Sequence, residues 1–153
     1  MIAVTISPEP IDIGAEYAAL AINGAGGIAT FAGLVRADDG VEALTLEHYP
    51  GATEAALDAL ADTAVARWTL LGVRITHRVG RMLPGETVVF VATAATHRTA
   101  ALDACAFLID RLKTEAPCWK KETLRGTERW VEPGGSEDAP PTQWDECSEP
   151  RSP

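Results

Sequence analysis

Cysteine is scarce in this chain: Cys105, Cys118 and Cys147 are the three among 153 residues. An odd number with no CxxC pair excludes complete internal bridging and fits a reduced, cytosolic setting. Histidine also numbers three, without the spacing to cysteines or acids that a metal site needs, so neither metal nor cofactor is expected. No run of 18 apolar residues exists that could span a membrane. The opening MIAVTISPEP lacks the basic region and long apolar stretch of a signal peptide. Basic residues are outnumbered, 13 Lys and Arg against 22 Asp and Glu, for a net charge of -9. That balance argues against a general nucleic-acid binder held by phosphate contacts.

The length suits one domain. The acids are unevenly placed. From Pro133 onward Glu137, Asp138, Asp145, Glu146 and Glu149 face one base, Arg151, and half of the ten prolines are there. Residues 133–153 therefore read as a mobile, acidic, Pro-rich tail, with Trp144 an unusual residue in it. Residues 1–132 form the folded part, whose bases are free to cluster locally.

The densest cluster is KTEAPCWKKE, Lys113 to Glu122, with three lysines around Ala116-Pro117-Cys118-Trp119. Pro117 cannot continue a helix, so a helix ends near Lys113 and an extended piece presents Lys120 and Lys121. Trp119 reads as a buried anchor. The stretch fits either a solvated basic turn or a group of ammonium ions facing an anionic ligand.

Alternation predicts strands over Ile2–Ile6, Ile28–Arg36, Val41–Tyr49, Val73–Val79, Thr87–Ala95 and Glu128–Val131. The second is apolar on both faces and is expected to be central, with Gly33 marking a bulge or a close approach. Asp38-Asp39-Gly40 predicts a hairpin between it and the third. Asn23 to Gly27 is a loop without the GK[ST] ending of a phosphate loop. Asp12 caps a short helix reaching Leu20 or Ile22, and Thr53 caps a second with a stripe of Leu57, Leu60, Ala64 and Trp68 that Gly72 ends. Thr96 caps a third, with Leu102, Cys105, Leu108 or Ile109, and Leu112 inward. His77 reads as a packed strand residue.

The third helix opens with His97 and Arg98. Cations at the positive end of a helix cost stability unless an anion offsets them, which points to a phosphate or carboxylate site. Lys113 is about 24 Å away along the same helix, at 1.5 Å per residue. Either two sites exist, or one site is completed by a second copy of the chain.

Five collinear segments, GIATFAGLVR (27–36), VEALTLEHYPGAT (41–53), ITHRVGRMLPGE (75–86), ATHRTAALDACAFLIDRLKTEAPCWKKE (95–122) and ERWVE (128–132), resemble the catalytic large subunit of molybdopterin synthase. The resemblance covers residues 1–132. It implies an α+β protein, an α/β hammerhead-type fold with an additional antiparallel β subdomain. It implies a homodimer of large subunits within a heterotetramer, each bound to a small ubiquitin-like sulfur-carrier subunit. The carrier's C-terminal Gly-Gly ends in a thiocarboxylate, and two sulfurs pass to cyclic pyranopterin monophosphate to form the dithiolene of molybdopterin. By the same resemblance Lys113 and Lys120 are catalytic, and Leu34, Val35, Arg36, His97, Arg98, Lys121 and Glu122 contact substrate. Phe31 lines the pocket. Leu34 stands where a polar residue is frequent, and Cys118 where an apolar one is usual. Lysines beside Cys118 would lower its thiol pKa, but the sulfur belongs to the carrier, so Cys118 is not assigned to catalysis. A non-catalytic module for a phosphometabolite or a ubiquitin-like partner is the alternative class.

Overall fold

The computed structural model describes residues 1–116 and 118–131; Pro117 and the whole acidic tail, with Trp144 and Cys147, lie outside the described residues. Among the described residues eight strands form two sheets, accompanied by three α-helices. The strands are β1 (Ile2–Ser7), β2 (Gly27–Leu34), β3 (Val41–His48), β4 (Gly72–Arg78), β5 (Gly80–Met82), β6 (Thr87–Ala95), β7 (Cys118–Leu124) and β8 (Thr127–Val131). The helices are α1 (Ile13–Ala18), α2 (Ala52–Trp68) and α3 (Arg98–Glu115). None is long and apolar enough to cross a membrane.

The main sheet has the order β1-β4-β6-β2, parallel at β1–β4 and antiparallel elsewhere. β6 alternates between two cores. Val91 and Ala95 face α2 and α3, where Leu57, Leu60, Ala64, Trp68, Leu108 and Leu112 pack. Phe90, Ala92 and Ala94 face Leu20, at the end of the α1 segment. Such two-sided burial makes β4 and β6 the apolar centre. Trp68 and Phe107 meet at 5.1 Å between ring centroids and join α2 to α3.

The second sheet, β5-β3-β7-β8, is antiparallel throughout. Val35, Leu46 and Met82 form a small core where the two sheets meet.

Several expectations need correction. β2 and β3 form no hairpin: Asp38–Gly40 is a 3-10 turn that carries the chain from one sheet to the other. β6 takes one edge of β2, while β5 and β7 take both edges of β3, so the two strands have no edge to share. β2 is an edge strand, not a central one, and Phe31 and Leu34 are exposed. Gly33 does mark a register shift, and a Cβ there would come within 2.7 Å of Val89 Cγ1.

The helix ends also differ. Gly51, not Thr53, precedes α2; Thr53 is buried and its hydroxyl accepts the Tyr49 N–H. α2 ends at Trp68 through left-handed Thr69, before Gly72. His97, not Thr96, is the N-cap of α3, which runs on to Glu115. Leu102 is exposed because the inward stripe follows Ala101, Ala104, Cys105, Leu108 and Leu112, at helical spacing. α1 stops at Ala18, short of Leu20.

Candidate functional site: cations at two ends of the main sheet

β7 follows α3 in the chain and pairs with β3. Leu46 stands opposite Lys120, and His48 opposite Cys118. Side chains alternate along a strand, so Cys118, Lys120 and Glu122 share one face, and Trp119 and Lys121 the other. Trp119 is therefore no buried anchor: it is 45% exposed, edge-on to Tyr49 at 6.0 Å. Lys121 pairs with Glu128 at 3.3 Å, and its ammonium lies 5.3 Å from the Trp130 ring centroid. Glu122 is held by Arg129 at 2.9 Å. Lys120 is exposed and makes no ion pair among the described residues.

Two residues that the sequence reading left out of the site, His48 and Glu54, stand beside Lys120's neighbour Cys118, and His77, read as a packed strand residue, is buried as expected. His48 Nε2 lies 3.3 Å from Glu54 Oε1, and Glu54 Oε2 accepts the Gly51 N–H at 2.6 Å. Its own N–H, then the Gly51 N–H and His48, hold the Glu54 carboxyl below the usual range, against partial burial. His77, buried on β4, has Nδ1 3.0 Å from the Arg78 carbonyl. Burial pushes His77 below its ordinary value of 6.5, and the charges of Lys120 and His48 act the same way. Alternation puts His48 on one face with Leu46, but only the β3–β7 register brings that face to Lys120.

The Cys118 thiol is pushed up rather than down. Burial raises it, Glu54 adds to the rise, and Lys120 does not overcome them.

The lowered His77 has a consequence for stability. Between its native value and 6.5 the unfolded chain binds more protons than the folded one, so stability rises with pH there and is lost as pH falls. Melting temperatures measured below pH 6.5 are expected to fall less steeply with acid in His77→Gln than in the unaltered chain. Equal slopes would contradict the assignment.

The remaining cations divide along the main sheet. Arg36 follows β2, exposed and 3.3 Å from Asp38, where the Val35 N–H bonds the Glu86 carbonyl just before β6. Leu34 is exposed and Val35 buried at the same end. His97 and Arg98 stand beyond the other end of β6. The nine residues of β6 put roughly 30 Å between the two ends. His97 makes no side-chain cap, and the first turn of α3 carries no acid, so cations stand at a positive helix end.

Backbone packing fixes that end. A Cβ on Gly26 would lie 2.1 Å from the Thr96 carbonyl oxygen, and one on Gly27 would lie 3.6 Å from the Arg98 Cα. Thr93 Oγ1 donates to the Ala101 carbonyl at 2.6 Å, tying β6 to the first turn of α3. α3 then runs back along β6 and beside β2. Its last turn carries Lys113, where a cation complements the negative helix end. One chain thus brings Arg36, Lys113 and Lys120 to one end, with Phe31 part-way along β2, and leaves His97 and Arg98 at the other.

The comparisons with known proteins agree on the family. Residues 6–115 match the family model described as MoaE protein. The molybdopterin synthase catalytic subunit of Caulobacter vibrioides is 45% identical over 146 residues, 94% of this chain and 97% of that protein. The solved molybdopterin cofactor biosynthesis protein E of Burkholderia multivorans superposes with a TM-score of 0.82 at 45% identity, covering 97% of this chain and 99% of that one. A Helicobacter pylori structure, a protein–protein complex of subunits 1 and 2 of molybdopterin-converting factor, shares the fold at 18% identity, with a TM-score of 0.73 over 86% of this chain and 90% of that one. The chain belongs to the MoaE family, the family of these molybdopterin synthase catalytic subunits.

Proposed function

We propose that this chain acts in the cytoplasm as the sulfurtransferase subunit of a molybdopterin synthase, in a pocket completed by a second copy of itself. A small ubiquitin-like carrier brings sulfur as a C-terminal thiocarboxylate, and cyclic pyranopterin monophosphate receives it twice to become the dithiolene. Two large subunits and two carriers make the heterotetramer. The main layer with its two helices is the hammerhead-type part, the second sheet is the additional subdomain, and residues 133–153 are a tail.

One observation carries the two-copy reading. The phosphate-type cations His97 and Arg98 stand roughly 30 Å from Arg36 across a single β6. Between them runs β2, whose outer edge has no strand partner among the described residues. From Gly27 to Leu34 that edge carries no charge and no proline, the usual devices that keep an edge from pairing. Antiparallel pairing of two β2 edges sets the Gly27 end of one copy beside the Leu34 end of the other. His97 and Arg98 of one copy then approach Arg36, Lys113 and Lys120 of the other.

The chemistry follows from such a pocket. Arg36 and Arg98 offer forked, charge-assisted bonds to a phosphate, with His97 beside them. Phe31 supplies an apolar wall, and Leu34 and Val35 supply backbone groups. Lys121 and Glu122 frame the second sheet's side. Lys120 stabilises negative charge as the thiocarboxylate sulfur attacks and the cyclic phosphate opens, while Lys113 polarises the carrier's acyl carbonyl. The thiols of Cys105 and Cys118 take no part; burial holds Cys105 up to about 11. Incubating the chain with thiocarboxylated carrier and precursor is expected to yield the dithiolene product. Binding of both without product would favour the non-catalytic module instead.

A further inference from the structure

Lys120 shares its face of the second sheet with His48, and His48 holds a carboxylate of α2, Glu54, that Lys120 does not bind. Both oxygens of Glu54 are engaged elsewhere, one by the Gly51 N–H at 2.6 Å and one by His48 Nε2 at 3.3 Å. His48 stands directly opposite Cys118, and Lys120 is two residues further along the same face of β7. Diagonal neighbours of this kind lie about 7–8 Å apart, within reach of a lysine side chain. The charges of Lys120 and Glu54 are both felt at Cys118, so the two opposite ions share one neighbourhood. Lys121, on the other face, is held by Glu128. Without an intervening donor, Lys120 has the same fate open to it through Glu54.

We propose that His48 is a positioning residue for Lys120 and acts by occupying Glu54, which keeps the Lys120 ammonium out of a dead-end ion pair and available to substrate. The imidazole donates to the carboxylate. It touches no reacting atom. An ammonium paired with a carboxylate has little net charge to offer a developing anion, so loss of His48 lowers the chemical step more than binding. This inference rests on the reading of Lys120 as the acting cation.

The test uses the assembled enzyme with thiocarboxylated carrier and cyclic pyranopterin monophosphate. His48→Ala is expected to lower kcat about tenfold with little change in KM for the precursor. Adding Glu54→Gln to that variant removes the trap and is expected to return kcat to within about threefold of the unaltered enzyme, a non-additive pair. His48→Gln keeps an N–H for Glu54 and is expected to stay active. A purely architectural His48 gives the reverse order, because Glu54→Gln also weakens the hold on Gly51 at the start of α2. Full turnover in His48→Ala, or a double variant no faster than His48→Ala, overturns the proposal. If His48→Ala does not fold, His48→Leu, alone and with Glu54→Gln, gives the same comparison without leaving a void. Lys120→Ala measured alongside separates the two readings. A fully active Lys120→Ala sinks the parent reading and this one together, whereas an inactive Lys120→Ala beside an unaffected His48→Ala sinks this one alone.

Discussion

Lys120→Ala is expected to slow product formation by about 10²–10³-fold, the usual cost of removing one preorganised group that stabilises charge in a transition state. Carrier binding should survive, because Lys120 is exposed and its strand partner Leu46 packs in the small core between the sheets without it. Stability should change little, since an exposed strand position away from caps and cores usually shifts folding by no more than about 0.5 kcal/mol. Single-turnover product formation, carrier affinity and a thermal melt together separate these effects. Full turnover in this variant would refute the role of Lys120. A loss confined to carrier binding would move Lys120 from chemistry to docking.

Thr30→Lys is expected to separate the two copies and to reduce turnover at least about a hundredfold, since each pocket would lose its preorganised clamp of cations from the other chain. Thr30 is exposed near the middle of β2. Antiparallel pairing of two such strands puts one new ammonium ion from each copy near the middle of the seam, and like charges gathered there are destabilising. A lysine is also the commonest natural protection of a free edge. The single chain should keep its fold, because β6 continues to pair the inner edge of β2 from Gly27 to Leu34. Sedimentation reads the size and a product assay the activity. A variant that stays paired and active would place the contact between copies elsewhere.

The sequence made most elements legible because their periods are clean. β6 and the inward stripe of α2 were read nearly to the residue, and Asp12 does cap α1, its carboxylate accepting the Ala15 N–H at 3.0 Å. What failed was pairing. β2 is apolar on both faces, and apolarity alone does not distinguish a central strand from an edge awaiting another chain. Asp38-Asp39-Gly40 has hairpin chemistry, yet the edges of β3 are filled by β5 and β7, contacts with residues far along the chain. Trp119 was expected inside because tryptophan carries a large apolar ring, but the alternation that exposes Lys120 on one face places Trp119 on the other.

The candidate site was legible as chemistry and less so as geometry. His97 and Arg98 betrayed themselves by sitting at the wrong end of a helix for cations, and the length of α3 already kept them from Lys113. Lys120 and Lys121 look equivalent in sequence, although strand alternation separates them and Glu128 holds Lys121 at 3.3 Å. His48 and Glu54 were missed because they come from different elements, and only the β3–β7 register and the start of α2 gather them, whereas His77 was read as a packed strand residue and is buried.

The most direct measurement is complementation between two crippled chains, Lys120→Ala and Arg98→Ala, dissociated, mixed in equal amounts and reassembled with carrier. If each pocket takes Lys120 from one copy and Arg98 from the other, half the assemblies are mixed, and each mixed one holds one intact pocket. Activity should recover to about a quarter of the unaltered enzyme's, from the symmetry of a two-fold pair. A mixture no more active than either variant alone, with mixed pairs demonstrated, would mean that each chain supplies both cations to its own pocket, contrary to this account.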